Sequence, residues 1–187
     1  MNILGRDNHA NKSTQPFVNG VERMIEIFEA LSAADIAAAR VLFKEYAASI
    51  GVDLCFQGFD DELRSLPGKY APPRGGLFLA TSDEILVGCV AVRPLKTEGI
   101  AELKRLYVRP QARGYGLGRS LTQRAIDRAI EAGYESIRLD TLPSMAGAQR
   151  LYRQMGFKEI APYTFNPVPG VTYMEMQLKE LHTKGTM

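Results

Sequence analysis

The sequence has 187 residues, of which 45% are hydrophobic and 24% are charged. This composition is typical of a globular protein, and the length fits a single domain with a hydrophobic core. Lys and Arg number 23 against 21 Asp and Glu, which gives a net charge of +2. Because this balance argues against a general nucleic-acid binder, we expect no nucleic-acid partner, and any anionic ligand should meet a local basic cluster.

Cysteine and histidine are too few and too dispersed to predict a metal site or a disulfide framework. Cys55 and Cys89 belong to no CxxC or Cys/His cluster, and His9 and His182 lie near the two ends. We therefore expect no metal and a cytoplasmic location. No apolar run is long enough to cross a membrane, and the polar start MNILGRDNHANKSTQP does not look like a signal peptide. No membrane partner is expected.

The first part of the chain predicts an extension, a strand and a helix. Residues 1–20 are polar and aperiodic, which predicts a flexible extension. Residues 24–30 alternate apolar and acidic side chains, as a half-buried strand does. Ser32 is placed to cap the helix that follows, and residues 51–70 combine loop with a short helical piece.

The remainder of the chain alternates strands and helices. Further strands are predicted over 77–80, 85–92, 100–108, 136–141, 157–163 and 172–178, and helices from 117 to 132 and around 146–155. This order predicts a mixed α/β sheet with helices packed on it. We expect one domain over residues 21–181, followed by a short tail at 182–187.

The hexapeptide RGYGLG at residues 113–118 is the main functional signal. Closely spaced glycines before a helix allow several backbone N–H groups to converge on a phosphate, and the helix N-terminus adds partial positive charge. Five basic residues lie in the same window: Lys104, Arg105, Arg109, Arg113 and Arg119. Together these features favour a pyrophosphate site.

Two other phosphate motifs fit this stretch poorly. The dinucleotide pattern G-x-G-x-x-G fails because position 119 is Arg when the count starts at Gly114, and position 121 is Leu when it starts at Gly116. A Walker A loop lacks its Gly-Lys-Ser/Thr. From the glycines alone, a glycine-rich turn without a ligand remains an alternative.

Three segments occur in one order: ELKRLYVRP at 102–110, RGYGLG at 113–118 and AQRLYRQMGF at 148–157. The hexapeptide fits the Q/R-x-x-G-x-G/A motif of the GNAT N-acetyltransferases, and the other two segments resemble that family's fourth strand and its A-x-x-L-Y-x-x-x-G-F segment. The resemblance covers roughly residues 24–178. It implies a mixed, mostly antiparallel sheet of six or seven strands, in which the family's fourth and fifth strands run parallel and splay, with about four helices on both faces.

The resemblance implies acetyl-CoA as the acetyl donor, with its pantetheine arm in the gap between the splayed strands. Leu106, Tyr107 and Val108 would offer one edge of that gap, with Leu139 and Asp140 opposite. The pyrophosphate would lie on the loop formed by Arg113, Gly114, Tyr115, Gly116, Leu117 and Gly118. Arg113 and Arg119 would supply charge.

The resemblance also implies two catalytic residues. Tyr152 matches the family tyrosine that reaches the CoA sulfur and would act as general acid, although its pattern alone also suits a core residue. Glu102 is the candidate base, and strict alternation would place it on the same side of its strand as Leu106 and Val108. The alternatives are that Glu102 pairs with Lys104 at the surface, or that an ordered water is the base.

The acceptor side is less determined than the donor side. Many family members carry Asn where this chain has Met145, so nearby polar residues would replace it. The acceptor pocket is expected from residues 49–73 and 163–173. The resulting expectation is direct acetyl transfer to a primary amine of a small molecule, an amino acid or a peptide, by a monomer or homodimer. The alternative is an acyl-CoA-binding sensor domain without catalysis.

Overall fold

The structure is a computed structural model that describes residues 11–18 and 21–178, with side chains from Met24 onward. The described strands are β1 Asn11–Val18, β2 Val21–Glu29, β3 Gly76–Ser82, β4 Ile85–Pro94, β5 Ile100–Val108, β6 Ser136–Thr141, β7 Lys158–Ile160 and β8 Thr172–Gln177. The described α-helices are α1 Ala33–Ile50, α2 Phe59–Ser65, α3 Leu117–Glu131 and α4 Ala146–Met155. No helix within these ranges is long and apolar enough to span a bilayer.

The strands form one sheet in the order β1-β2-β3-β4-β5-β6-β8-β7. Every neighbouring pair is antiparallel except β5 and β6, which run parallel. This parallel pair is joined only over Ile100–Glu102 and Ser136–Arg138, after which the two strands separate. The expected mixed, mostly antiparallel fold with a splayed parallel pair is therefore confirmed.

The sheet has eight strands, one more than the upper expectation of seven, because residues 11–18 form β1 at its edge. Asn11 lies opposite Ile27 and Gln15 opposite Arg23 on β2. This stretch falls within the predicted flexible extension. An edge strand can form through backbone hydrogen bonds without alternating apolar side chains, so the sequence pattern did not predict β1. Residues 1–10, 19–20 and 179–187, which include the predicted tail, lie outside the described residues.

Two hydrophobic cores lie on opposite faces of the sheet. On one face α1 and α2 pack through side chains such as Leu42, Phe43 and Leu63. On the other face α3 and α4 pack through side chains such as Leu121, Ile126 and Tyr152. The helix boundaries follow local signals: Ser32 and Asp35 form a capping box at the start of α1, and α4 ends at Gly156, whose φ is 100°. Four helices on both faces match the expectation.

A β-bulge interrupts β5 and changes the direction of its side chains. Ala91 on β4 pairs with Lys104, but Cys89, only two residues away, pairs with Tyr107, so β5 contains one extra residue. Arg105 occupies this irregularity with a φ of 58°. The bulge therefore breaks the strict alternation assumed from the sequence.

The bulge places Glu102 on the opposite side from the one expected. Leu103, Leu106 and Val108 pack in the α3-side core, whereas Tyr107 packs in the α1-side core. Glu102 alternates with Leu103 and therefore lies on the α1 side. The expectation that Glu102 shares a side with Leu106 and Val108 is wrong, because the extra residue reverses the count between them.

Candidate active site

The separation of β5 from β6 opens a cleft of about 720 Å³ between the β5 edge, the glycine segment and α4. Eight of the sequence-predicted cofactor residues line it: Leu106, Tyr107, Val108, Arg113, Gly114, Gly116, Leu117 and Gly118. The end of α1 closes the cleft on the opposite side with Tyr46, Ser49 and Ile50. Because β5 has no strand partner beyond Glu102 on this side, its backbone edge is available to an extended ligand.

The glycine segment gives this cleft an uncapped helix end. Gly114 and Gly116 have φ values of 89° and 77°, which side chains other than glycine rarely adopt. Gly116 is also the N-cap of α3 and offers no side chain to accept hydrogen bonds from the first turn. The Arg119 N–H already donates to the Gly116 carbonyl oxygen at 2.9 Å. The N–H groups of Leu117 and Gly118 and the partial positive charge of the helix end therefore remain for an anion in the cleft.

Most of the basic window near this segment is neutralised by carboxylates. Lys104 Nζ lies 3.0 Å from Asp140 Oδ1, and the guanidinium groups of Arg105 and Arg109 form ion pairs with Glu62 and Glu45. The sequence analysis counted all five charges toward a phosphate site, but three of them are paired inside the fold.

Arg113 and Arg119 are the two members of that window with no carboxylate partner among the described residues. Arg113 is exposed, and its Nε donates to the carbonyl oxygen of Val108 at 2.9 Å. Arg119 is also exposed and donates to Gln154 Oε1 at 3.4 Å. Positive charge at the cleft therefore comes from Arg113 on its wall and from the helix end.

Three predicted cofactor residues do not line the cleft. Leu139 is 1% exposed and belongs to the α3-side core, because it alternates with Asp140, which faces the gap. Tyr115 and Arg119 lie outside the lining of the cleft. Their proposed cofactor contacts stay predictions that the cleft geometry does not support.

A second, narrower cavity of about 30 Å³ adjoins the cleft on its inner side. Tyr46, Ile50, Leu106 and Met145 border both spaces. The polar part of the inner wall consists of Gln57, Lys104, Arg105, Asp140, Thr141, Tyr152 and Asn166. Residues 49–73 and 163–173, the two segments from which an acceptor pocket was predicted, both contribute to this wall.

Tyr152 lies on α4 and lines this inner cavity. Its ring packs against Phe157, with centroids 5.6 Å apart, and its hydroxyl has no hydrogen-bond partner among the described residues. Burial raises the pKa of Tyr152, and the nearby Tyr46 and Asp140 raise it further. The hydroxyl therefore stays protonated at neutral pH and can donate a hydrogen bond into the cavity.

Glu102 is 2% exposed and is held by two neighbours. Its Oε2 accepts from Arg93 Nε at 2.8 Å, and its Oε1 accepts from the Tyr163 hydroxyl at 2.9 Å. Lys104 Nζ lies 3.9 Å from Oε1, an ion-pair distance rather than a hydrogen bond. Glu102 does not line the inner cavity. The sequence analysis predicted neither contact of Glu102, because the sequence does not reveal that Arg93 on β4 and Tyr163 in the loop after β7 lie beside it in the fold.

Asp140 is the carboxylate on the wall of the inner cavity. Its Oδ1 accepts from Lys104 and its Oδ2 from Asn166 Nδ2, at 3.0 and 2.9 Å. Burial acts to raise the pKa of Asp140, but the Lys104 ammonium and the Asn166 amide outweigh it and lower the pKa. Asp140 is therefore charged at neutral pH. Within the described residues there is no group of three or more His, Cys, Asp or Glu that could hold a metal ion.

The family model of the acetyltransferase (GNAT) family matches residues 43–157. The chain belongs to this family. It is 42% identical to an uncharacterized N-acetyltransferase of Schizosaccharomyces pombe, over 78% of this chain and 90% of that protein. It is 30% identical to an uncharacterized N-acetyltransferase of Dictyostelium discoideum, over 83% of this chain and the whole of that protein.

A solved structure has the same GNAT fold. It is an acetyltransferase from Salmonella typhimurium with its cofactor acetyl-CoA, which superimposes with a TM-score of 0.60 over 82% of this chain and 94% of that chain, at 22% identity. The likeness shows a common fold over that part of the chain.

Proposed function

We propose that this chain is an acetyl-CoA-dependent N-acetyltransferase that transfers acetyl directly to a primary amine. One observation carries the proposal. The cleft formed by the glycine segment and the free β5 edge meets a polar inner cavity at Leu106 and Met145, and a protonated Tyr152 lies on the wall of that cavity. A donor site and an acceptor site thus share a boundary where a reaction can occur.

The cleft has the chemistry that acetyl-CoA needs. The uncapped start of α3 suits a pyrophosphate, because first-turn N–H groups and a helix dipole attract anions. The backbone of Leu106, Tyr107 and Val108 would pair with the pantetheine amides, as the unpaired edge of a strand pairs with an extended ligand. When bound, acetyl-CoA supplies an activated thioester carbonyl to the boundary with the inner cavity.

Tyr152 is proposed as the general acid. Its raised pKa keeps the proton on the hydroxyl, and its position on the cavity wall allows it to donate to a sulfur that gains negative charge. A neutral donor held by packing against Phe157 needs little rearrangement when that charge develops.

Two carboxylates are candidates for receiving the proton of the amine. Asp140 lines the inner cavity and would contact the amine directly. Glu102, the residue predicted from the sequence, is held by Arg93 and Tyr163 away from that wall, so it would act only through an intervening group. The role of Glu102 as base stays a prediction, and a comparison of the two carboxamide variants tests it.

Titration with acetyl-CoA and with NAD(H) tests the identity of the donor. We expect acetyl-CoA and CoA to bind and NAD(H) to bind far more weakly, because the glycine segment lacks the dinucleotide spacing. Tighter binding of NAD(H) than of CoA would overturn the assignment of the cleft.

A further inference from the structure

Two buried oxygens on the wall of the inner cavity have no hydrogen-bond partner within the part of the chain that the structure describes. They are Thr141 Oγ1 and Gln57 Oε1. Thr141 is 3% exposed, so its hydroxyl is shielded from bulk solvent. Because buried polar groups are nearly always paired in native proteins, these two atoms have hydrogen-bonding capacity left for a water molecule or a ligand in the cavity.

The same wall carries a buried ammonium with hydrogen-bonding capacity left over. Lys104 is 7% exposed, and its Nζ donates one hydrogen bond, to Asp140 Oδ1 at 3.0 Å. Glu102 Oε1 lies 3.9 Å from Lys104 Nζ, which is too far for a second hydrogen bond. An ammonium has three donors, so Lys104 can donate to a further acceptor in the cavity.

The wall therefore presents two donors, Lys104 Nζ and the Thr141 hydroxyl, together with two acceptors, Gln57 Oε1 and the Asp140 carboxylate. A ligand that satisfies both sets needs an anionic acceptor group close to an N–H donor. We infer that the acetyl acceptor is a free α-amino acid, with its carboxylate bound by Lys104 and Thr141 and its amino group by Gln57 and Asp140. This inference rests on the proposed acetyltransferase function.

The charges of the wall disfavour two other classes of amine. A polyamine or a lysine side chain would bring a further cation beside Lys104 and Arg105, which line the same cavity. A peptide N-terminus would place a neutral amide where Lys104 can bind an anion, leaving part of the buried ammonium without an acceptor. A free carboxylate next to the amine matches the wall better than either.

The direct test is acetylation of three matched acceptors: an L-amino acid, its carboxamide, and the amine that lacks the carboxyl group. Free CoA thiol and acetylated product are measured together for several side chains. We expect kcat/KM to be about 10- to 100-fold higher for at least one amino acid than for its two analogues, because a charge-assisted hydrogen bond is lost in each analogue. The carboxamide has the more readily deprotonated amino group, so amine basicity cannot produce this preference.

The possible outcomes separate the inference from the proposed function. Equal or faster turnover of the carboxamides or simple amines overturns the amino-acid inference and leaves the acetyltransferase function standing. If no amine of the panel causes thiol release, both the amino-acid inference and the proposed acetyltransferase function are contradicted. Preference for the free acids supports both.

Thr141→Val tests the wall itself, with Thr141→Ser as the matched control. Valine has nearly the shape of threonine but no hydroxyl, so we expect KM for the amino acid to rise about 10-fold. The affinity for acetyl-CoA should be unchanged, and stability should be equal or greater because an unpaired buried hydroxyl is removed. Serine should restore the wild-type KM. An unchanged KM in the valine variant would overturn the assignment of Thr141.

Discussion

Arg105 and Glu62 form an ion pair with two hydrogen bonds between the bulge of β5 and helix α2. Nε lies 2.9 Å from Oε1 and Nη2 lies 2.7 Å from Oε2. The Tyr70 hydroxyl donates to the same Oε1 at 2.9 Å, and the rings of Tyr46 and Phe59 lie 5.7 and 5.1 Å from the guanidinium carbon. This pair fixes α2 to the sheet next to the inner cavity.

Glu62→Gln should therefore alter stability in a pH-dependent manner. Burial acts to raise the pKa of Glu62, but Arg105 and Tyr70 outweigh it and lower the pKa below its ordinary value of 4.5. A lowered pKa contributes stability that is present above about pH 4.5 and is lost as the pH falls through the folded-state pKa. We expect the free energy of unfolding of the variant to be about 3–5 kcal/mol lower than that of the wild type at pH 7. In acid the variant should lose less additional stability than the wild type, because it lacks the carboxylate that titrates.

Urea unfolding at pH 7 and at several values below 4.5 measures both effects. Glu131→Gln is a suitable control, since its ion pair with Arg128 has a half-exposed carboxylate and should contribute little. A Glu62 variant as stable as the wild type at pH 7 would show that the pair does not hold α2.

Gly116→Glu should abolish the binding of acetyl-CoA. The substitution places a side chain and a negative charge at the start of α3, where the cleft is expected to bind phosphate. Gly133→Glu is the matched control, because Gly133 has nearly the same φ, 78° against 77°, and lies outside the cleft. Both variants share the backbone strain, so only the first should lose affinity in a binding titration. Equal affinities would contradict the location of the phosphate site.

Tyr152→Phe should lower kcat by about 100-fold or more while acetyl-CoA affinity changes little, because general-acid catalysis contributes on that scale. Burial keeps the pKa of Tyr152 above its ordinary value. The kcat of the wild type should therefore show no decrease from deprotonation of Tyr152 up to about pH 10. Tyr134→Phe is the control: that hydroxyl donates to the Arg74 carbonyl at 3.0 Å, outside both cavities. An unchanged kcat in the Tyr152 variant would make this residue part of the core only.

Asp140→Asn and Glu102→Gln separate the two candidate bases. We expect the Asp140 variant to reduce kcat/KM for the amine more strongly, because Asp140 lines the inner cavity and Glu102 does not. The pH dependence of kcat/KM reports the free enzyme's essential base. A larger loss with Glu102→Gln, together with a changed pH profile, would restore Glu102 as the base and contradict direct contact by Asp140.

The sequence predicted much of the fold because local signals agreed with the final structure. Ser32 with Asp35, Gly116 and Gly156 mark helix ends by their own conformational preferences. The resemblance also located eight residues that line the cleft.

The errors arise where non-local packing decides. The bulge at Arg105 is one extra residue measured against β4, and nothing in the alternation of β5 alone reveals it. Likewise, the partners that neutralise Lys104, Arg105 and Arg109 lie 36, 43 and 64 positions away in the sequence. A cluster of basic residues in a sequence therefore need not be a cluster of available charge.

The relation between the cleft and the inner cavity is tested most directly by measuring thiol release and amine acetylation in the same reaction. Acetyl-CoA is mixed with the protein and a panel of primary amines, and free CoA and acetylated product are quantified. Direct transfer predicts equal amounts of the two products for at least one amine, and no acetylated protein when the amine is omitted. Tight binding of acetyl-CoA without thiol release for any amine would contradict catalysis and favour a binding domain.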